Sequence, residues 1–187
     1  IIAAIFYGGM FDLHDVLLTA LSLKAFSIGL IGFSFVKILS PAYFARKDTL
    51  TPVKIGIFCL LLNIILGSSS VYYLDEIDYE GTHLGLALSI SVAAILNAGL
   101  LFSGLKKKNI IKRLSGFKEL IVKLLIANSF MLIFLTYTIQ PLEWWLGLGV
   151  LKRFSWLAFF ILVSVGIYVL ILSLLGMKIK ELRFQEE

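Results

Sequence analysis

Five stretches of predominantly apolar residues, each longer than twenty, dominate this 187-residue chain. They run approximately from Val16 to Phe44, Pro52 to Leu74, Leu84 to Leu105, Phe117 to Ile139 and Leu151 to Met177, and a stub at Ile1 to Tyr7 fits the tail of another. About 20 such residues in a helix cross roughly 30 Å of hydrocarbon at about 1.5 Å each. None alternates with period two over its length, which disfavours a barrel of strands. The expected class is therefore all-α, a polytopic membrane helix bundle with about five transmembrane helices. Thr51 is expected to cap the second span, with Pro52 in its first turn, where an amide hydrogen would be unpaired anyway. Gly8, Gly9, Gly81, Pro141 and Gly147 fall in the breaks, and Gly176 sits where the fifth helix should stop.

Composition closes off the soluble alternatives. Residues of the AVILMFWYC set make up 59% and charged residues 16%, and the mean hydropathy is +0.97. Too few ionised groups are present to cover a water-soluble globule, so disorder and a broad basic nucleic-acid face are both disfavoured. The lone Cys59 cannot form an intrachain disulfide, and the spacings of a zinc site are absent. The chain opens Ile1-Ile2-Ala3-Ala4, with neither an initiator methionine nor the basic flank of a signal peptide, and is expected to start inside a longer protein.

Basic residues favour the cytoplasmic side of a membrane. Thirteen Lys and Arg fall in the segments Arg46 to Lys54, Lys106 to Lys123 and Lys178 to Glu187, all on one side of the expected bundle. The other side holds only Lys152 and Arg153, with Asp12, Asp15, Asp75, Glu76, Asp78, Glu80, Glu143, His14 and His83. The basic side is assigned to the cytoplasm, which makes the C-terminus cytoplasmic and the Asp75 to Glu80 loop external. The net charge of +5 is then a topological signal. The run Lys106-Lys107-Lys108-Asn109-Ile110-Ile111-Lys112-Arg113 could serve a polybasic-reading partner. Contact with anionic lipid, at about 1 kcal/mol per charge, explains it without one.

Cations inside a span cost about 2.5–3.5 kcal/mol on insertion scales and so mark function. Lys24 and Lys37 are the two here, about 140° apart around the first complete span. Ser27 and Ser34 fall between them in a loose polar arc, interrupted by Leu30, Ile31 and Ile38. The arc suits a cavity wall or an anionic substrate group. Lys37, about seven residues from the cytoplasmic end, equally suits an interfacial anchor. Asn63 and Asn97 fit hydrogen bonds between helices. Ala87, Ser91, Ala94 and Ala98 form one seam for close helix approach, so the third span is expected to be interior. The fourth and fifth spans, rich in Leu, Ile and Phe, are expected to be peripheral and to face acyl chains.

Catalysis explains little of the chain. No Gly-rich phosphate loop, no His pair at metal spacing and no nucleophile beside a base occurs in the sequence. Both histidines and most carboxylates fall on the outer side, where an intramembrane hydrolase could not use them. No catalytic residue, metal ligand or cofactor site is assigned.

The segment joining the first two spans is the most distinctive: Phe35-Val36-Lys37-Ile38-Leu39-Ser40-Pro41-Ala42-Tyr43-Phe44-Ala45-Arg46-Lys47-Asp48-Thr49-Leu50-Thr51-Pro52-Val53-Lys54-Ile55. It resembles a hairpin of the MurJ (MviN) family of lipid II flippases, in which a Val-Lys-(Ile/Val)-Leu-Ala-Pro helix end precedes an Arg-x-Asp-x-x-Thr-Pro-Val turn. Phe6-Tyr7-Gly8 with Phe11 and Asp12, Ser27-Ile28-Gly29-Leu30-Ile31-Gly32, Gly85 to Ile90, Leu96-Asn97-Ala98 and the Leu175 to Glu181 ending agree with it. Ser40 and Lys24 depart from the family pattern.

The resemblance implies a two-lobed, fourteen-helix transporter of the multidrug/oligosaccharidyl-lipid/polysaccharide superfamily, of which this chain would supply the last five helices. Residues 1–15 would hold the end of a preceding helix and an outer loop, and 16–105 three helices completing the second lobe. Residues 106–116 would form a basic cytoplasmic linker, 117–177 two added C-terminal helices bordering a groove for the polyprenyl tail, and 178–187 a cytoplasmic tail. The implied function is translocation of lipid II, an undecaprenyl-pyrophosphate-linked muropeptide of cell-wall biogenesis, across the bacterial cytoplasmic membrane by alternating access. The implied partners are lipid II, membrane lipids and the N-terminal lobe, with no nucleic acid. Lys24, Lys37, Arg46, Lys54 and Asn97 are the substrate or transport candidates. The competing classes are an accessory membrane subunit docking a partner through the small-residue seam, and an exporter of another lipid-linked oligosaccharide.

Overall fold

The computed structural model describes residues 1–9, 11–77, 79, 81–108 and 117–177, with the backbone alone at 117 and 118. Their elements are α1 (Ile2–Phe6), α2 (Leu13–Phe44), α3 (Leu50–Glu76), α4 (His83–Lys107), α5 (Phe117–Thr138), α6 (Leu142–Leu146) and α7 (Val150–Leu174). Five of them, namely α2, α3, α4, α5 from Glu119, and α7, are long and apolar enough to cross a membrane. The fold is all-α as expected, and the short α6 adds a helix within the Pro141 to Gly147 break. Asp78, Glu80, the basic stretch 109–116 with Lys112 and Arg113, and the tail 178–187 lie outside the described residues.

The chain divides into two compact units, Asp12–Lys112 and Ile1–Phe11 with Arg113–Glu187. In the first, α4 is the interior helix: 44% of its most apolar window is buried, against 28% for α2 and 11% for α3. Small side chains are the cause. A Cβ added at Gly32 would lie 2.6 Å from the carbonyl carbon of Ala94 and the amide nitrogen of Ile95, and one at Gly29 would lie 2.6 Å from the Ser91 Oγ. Backbones this close gain dispersion contacts that lipid cannot match, which is the main attraction between helices in a bilayer. The Ser91 hydroxyl adds a hydrogen bond across the seam, donating to the Ala25 carbonyl at 2.7 Å. The Ala87-Ser91-Ala94-Ala98 seam is thus filled from within by α2, which removes it as the docking surface of an accessory subunit.

Near the Lys107 end of α4, Leu39, Tyr43, Leu101 and Leu105 form a buried cluster. Just beyond it α2 ends in a Schellman turn: the Lys47 amide donates to the Phe44 carbonyl at 2.9 Å and the Asp48 amide to the Tyr43 carbonyl at 3.1 Å. This turn holds Lys47 at φ +59°, where glycine is the usual occupant. Thr51 does not cap α3. The helix starts earlier, at Leu50, and the capping acceptor is Asp48, which takes the Thr51 amide at 3.1 Å and the Thr51 hydroxyl at 2.9 Å. A carboxylate three residues upstream reaches the free amides of the first turn better than the threonine inside it.

In the other unit α5 packs on α7, and α1 packs on α6 and α7. Only 6% of the apolar window of α5 and 11% of that of α7 is buried. Trp144, Trp145, Trp156, Phe159 and Phe160 form a chain of ring contacts with centroids 5.2–6.1 Å apart. At Gly176, φ is +76°. The Met177 amide reaches the Leu172 carbonyl at 3.1 Å and the Gly176 amide the Ser173 carbonyl at 3.0 Å, a second Schellman stop.

Candidate functional site

Helix α2 presents two unlike faces. Ala25, Gly29 and Gly32 are buried against α4. At about 100° per residue, Lys24, Ser27, Ser34 and Lys37 span about 140° centred on the opposite side of the helix. All four are exposed, as are Leu30, Ile31 and Ile38 among them. The two serine hydroxyls donate to their own helix, Ser27 to the Lys24 carbonyl at 2.7 Å and Ser34 to the Leu30 carbonyl at 2.9 Å. Neither lysine has an ion-pair partner among the described residues. Pro41 lies inside α2 and has no amide to give the Lys37 carbonyl, so polar backbone accompanies the lower cation. Two unpaired ammonium groups on one face of a spanning helix require water, an anion or another protein surface opposite them.

A second constellation closes the end of the same unit. The Lys108 ammonium donates to the Asp48 Oδ2 at 2.6 Å and lies 5.5 Å from the centre of the Tyr43 ring. The Lys108 contact, then Thr51, holds the Asp48 carboxyl below the usual carboxylate range. Asp48 therefore caps α3 and ties the α2–α3 turn to the end of α4. Arg46 and Lys54 stand exposed on either side of this clasp and belong to no ion pair among the described residues. The hairpin that is most distinctive in sequence thus has a structural core, Asp48 and Thr51, beside free cations.

The side-chain oxygens of Asn97 and Asn63 do not make the hydrogen bonds between helices that were expected of them. Both Oδ1 atoms are buried without a hydrogen-bond partner among the described residues. The bonds that join α2 to α4 come from Ser91 and Tyr43 instead. The Ser91 hydroxyl, on a one-carbon stem, reaches the Ala25 carbonyl because the two backbones nearly touch there, whereas the Tyr43 hydroxyl reaches the Leu101 carbonyl from the end of its ring. Ser91 and Tyr43 are thus the cross-helix donors; the small-residue seam marked Ser91 as interfacial, and nothing in the sequence marked either hydroxyl as a donor.

Arg153 was also missed. It is 7% exposed. Its Nε donates to the Trp145 carbonyl at 2.9 Å, Nη2 to the Leu146 carbonyl at 3.0 Å and Nη1 to the Tyr7 carbonyl at 2.6 Å. The guanidinium carbon also lies 5.0 Å from the centre of the Tyr7 ring. One signal was available: a cation at the N-terminal end of a helix opposes the helix dipole and needs a reason to be there. Among the described residues, no group of three or more His, Cys, Asp or Glu is placed to hold a metal.

The family model described as lipid II flippase MurJ matches residues 1–174 of the chain. The chain belongs to the MurJ family. It is 32% identical over 98% of its length to the probable lipid II flippase MurJ of Vibrio cholerae, of which it covers 34%. It is 33% identical over 93% of its length to that of Haemophilus influenzae, covering 32%. Against the lipid II flippase MurJ of Burkholderia cenocepacia it is 39% identical over 65% of its length, covering 22%. The chain thus spans about a third of the length of the MurJ relatives that it matches most fully.

Proposed function

We propose that this chain forms part of a lipid II flippase, a transporter of the bacterial cytoplasmic membrane, and that the exposed polar face of α2 lines the route of the lipid's anionic head group. The observation that carries this is the position of Lys24 and Lys37 on the side of α2 opposite its packing seam, exposed and without an ion-pair partner among the described residues. A pyrophosphate that leaves one leaflet for the other needs cations along its path and a dry surface for its tail. The bare apolar flanks of α5 and α7 suit the tail. Residues 16–105 serve in this account as three helices of one transporter lobe, and 117–177 as an added pair.

The basic-residue bias puts the Arg46 to Lys54 turn and the C-terminus on the cytoplasmic side. Arg46 and Lys54 then stand at the inward mouth and meet the head-group phosphates electrostatically, Lys37 lies just inside, and Lys24 lies nearer the midplane. Asn97, with its buried unpaired oxygen, takes a hydrogen bond from a bound water or from the opposing lobe. The chain moves its substrate without chemically altering it. The test is lipid II flipping by the full-length protein in proteoliposomes. Lys24→Gln and Lys37→Gln are expected to slow it about tenfold each, the scale of a lost charge-assisted hydrogen bond. Full activity in both variants would remove the arc from the route.

A further inference from the structure

We infer that Arg153 is a positioning residue for transport: it ties the helix that ends at Tyr7 to the α6–α7 corner, so that α1 and the α5–α7 pair move as one body. The transport part of this inference rests on the flippase reading, whereas the tie itself does not. All three acceptors are backbone carbonyls, and they come from two separate helix ends. Trp145 and Leu146 are the last residues of α6, and Tyr7 is the C-cap of α1. The last carbonyls of a helix have no intrahelical donor and need one from elsewhere. A planar guanidinium can serve several divergent acceptors at once, which a lysine ammonium on a flexible stem cannot do with the same geometry.

Burial argues against the other use of a membrane arginine, binding an anionic substrate. Nε, Nη1 and Nη2 each have a carbonyl partner, the Tyr7 ring lies 5.0 Å away, and the residue is 7% exposed. Trp145, itself buried, packs on Phe160 with ring centres 6.1 Å apart and closes the α7 side. Opening the tie during a transport cycle would take their donor from the Tyr7 and Leu146 carbonyls and strip a guanidinium that is only 7% exposed of three acceptors, although the Trp145 carbonyl would keep the Leu148 amide at 3.3 Å. The tie is therefore kept, and motion is taken up elsewhere in the protein.

The experiment uses the full-length protein with Cys59→Ala and nitroxide labels on cysteines placed at Ile5 of α1 and Leu162 of α7, both exposed. Spin-label distances are measured in nanodiscs with and without lipid II. A single narrow distance that agrees between the two conditions to within about 2 Å is expected, as for one rigid body. Arg153→Lys and Arg153→Met are expected to broaden it. They should also lower lipid II turnover about three- to tenfold while leaving lipid II affinity within about twofold. A shift of the parent distance by more than about 5 Å on adding lipid II would show that the two helices move separately and overturn the inference. So would an unchanged narrow distance in Arg153→Met. If Arg153→Met does not fold, the parent protein and Arg153→Lys decide the matter. Should the parent protein flip no lipid II, the flippase reading fails, and the distances still judge the tie.

Discussion

The Tyr43 hydroxyl donates to the Leu101 carbonyl at 2.8 Å, joining the last turns of α2 to α4 across fifty-eight residues of sequence. Tyr43 is 1% exposed, and the bond roofs the cluster of Leu39, Leu101 and Leu105. Tyr43→Phe keeps the ring and removes the donor. A loss of about 0.5–1.5 kcal/mol is expected for one buried hydrogen bond, read from denaturant unfolding in detergent.

Glycines of α2 and α4 should respond in opposite directions. Gly32→Ala drives a methyl group into the backbone of Ala94 and Ile95 and is expected to cost about 1–3 kcal/mol, as overpacking does. Gly99→Ala on α4 meets nothing within 4 Å and should stabilise by about 0.5–1 kcal/mol through helix propensity. The same unfolding measurement compares them, and equal effects would contradict the packing described for α2 and α4.

Lys47 occupies the left-handed position of the α2 Schellman turn at φ +59°. Lys47→Gly removes the steric penalty there, and a gain of about 0.5–1 kcal/mol is expected. Thermal unfolding in detergent reads it. Lys47→Val, a β-branched residue at the same position, should destabilise.

The clasp should titrate. Lys108 and Thr51 depress the Asp48 pKa in the folded protein. Its contribution to stability is therefore complete above the unfolded-state value of about 3.9 and is lost as pH falls through the lower folded value. Asp48→Asn should melt below the parent at neutral pH, and the difference should shrink as pH drops below that range. A gap that stays constant down to strongly acidic pH would mean that the carboxylate charge contributes nothing.

Much of the fold was legible because its causes are local. Runs of apolar residues set the five spans, Gly176 marked the stop of α7, and the period of Ala87, Ser91, Ala94 and Ala98 marked the inward face of α4. The Thr51 cap failed because Asp48 is a competing acceptor whose reach depends on the turn before it, and that turn depends on an unusual φ at Lys47. Arg153 was illegible for a different reason. Its partners are backbone carbonyls, one of them 146 residues away, and a carbonyl has no signature in the amino-acid code. Of the candidate site, the spacing of Lys24 and Lys37 gave the arc, but only the packing of α2 on α4 gave the direction in which that arc faces.

Whether the α2 arc borders an aqueous route is tested most directly by thiol accessibility in the full-length protein. Single cysteines replace Lys24, Ser27, Ser34 and Lys37 in a Cys59→Ala background, with controls at Ile28 and Phe33, which are exposed on α2 but off the arc. A membrane-impermeant anionic thiol reagent should label the four arc positions, lipid II should protect them, and the controls should stay unlabelled. Labelling of the controls and the arc alike, or of none of the four arc positions, would contradict the account.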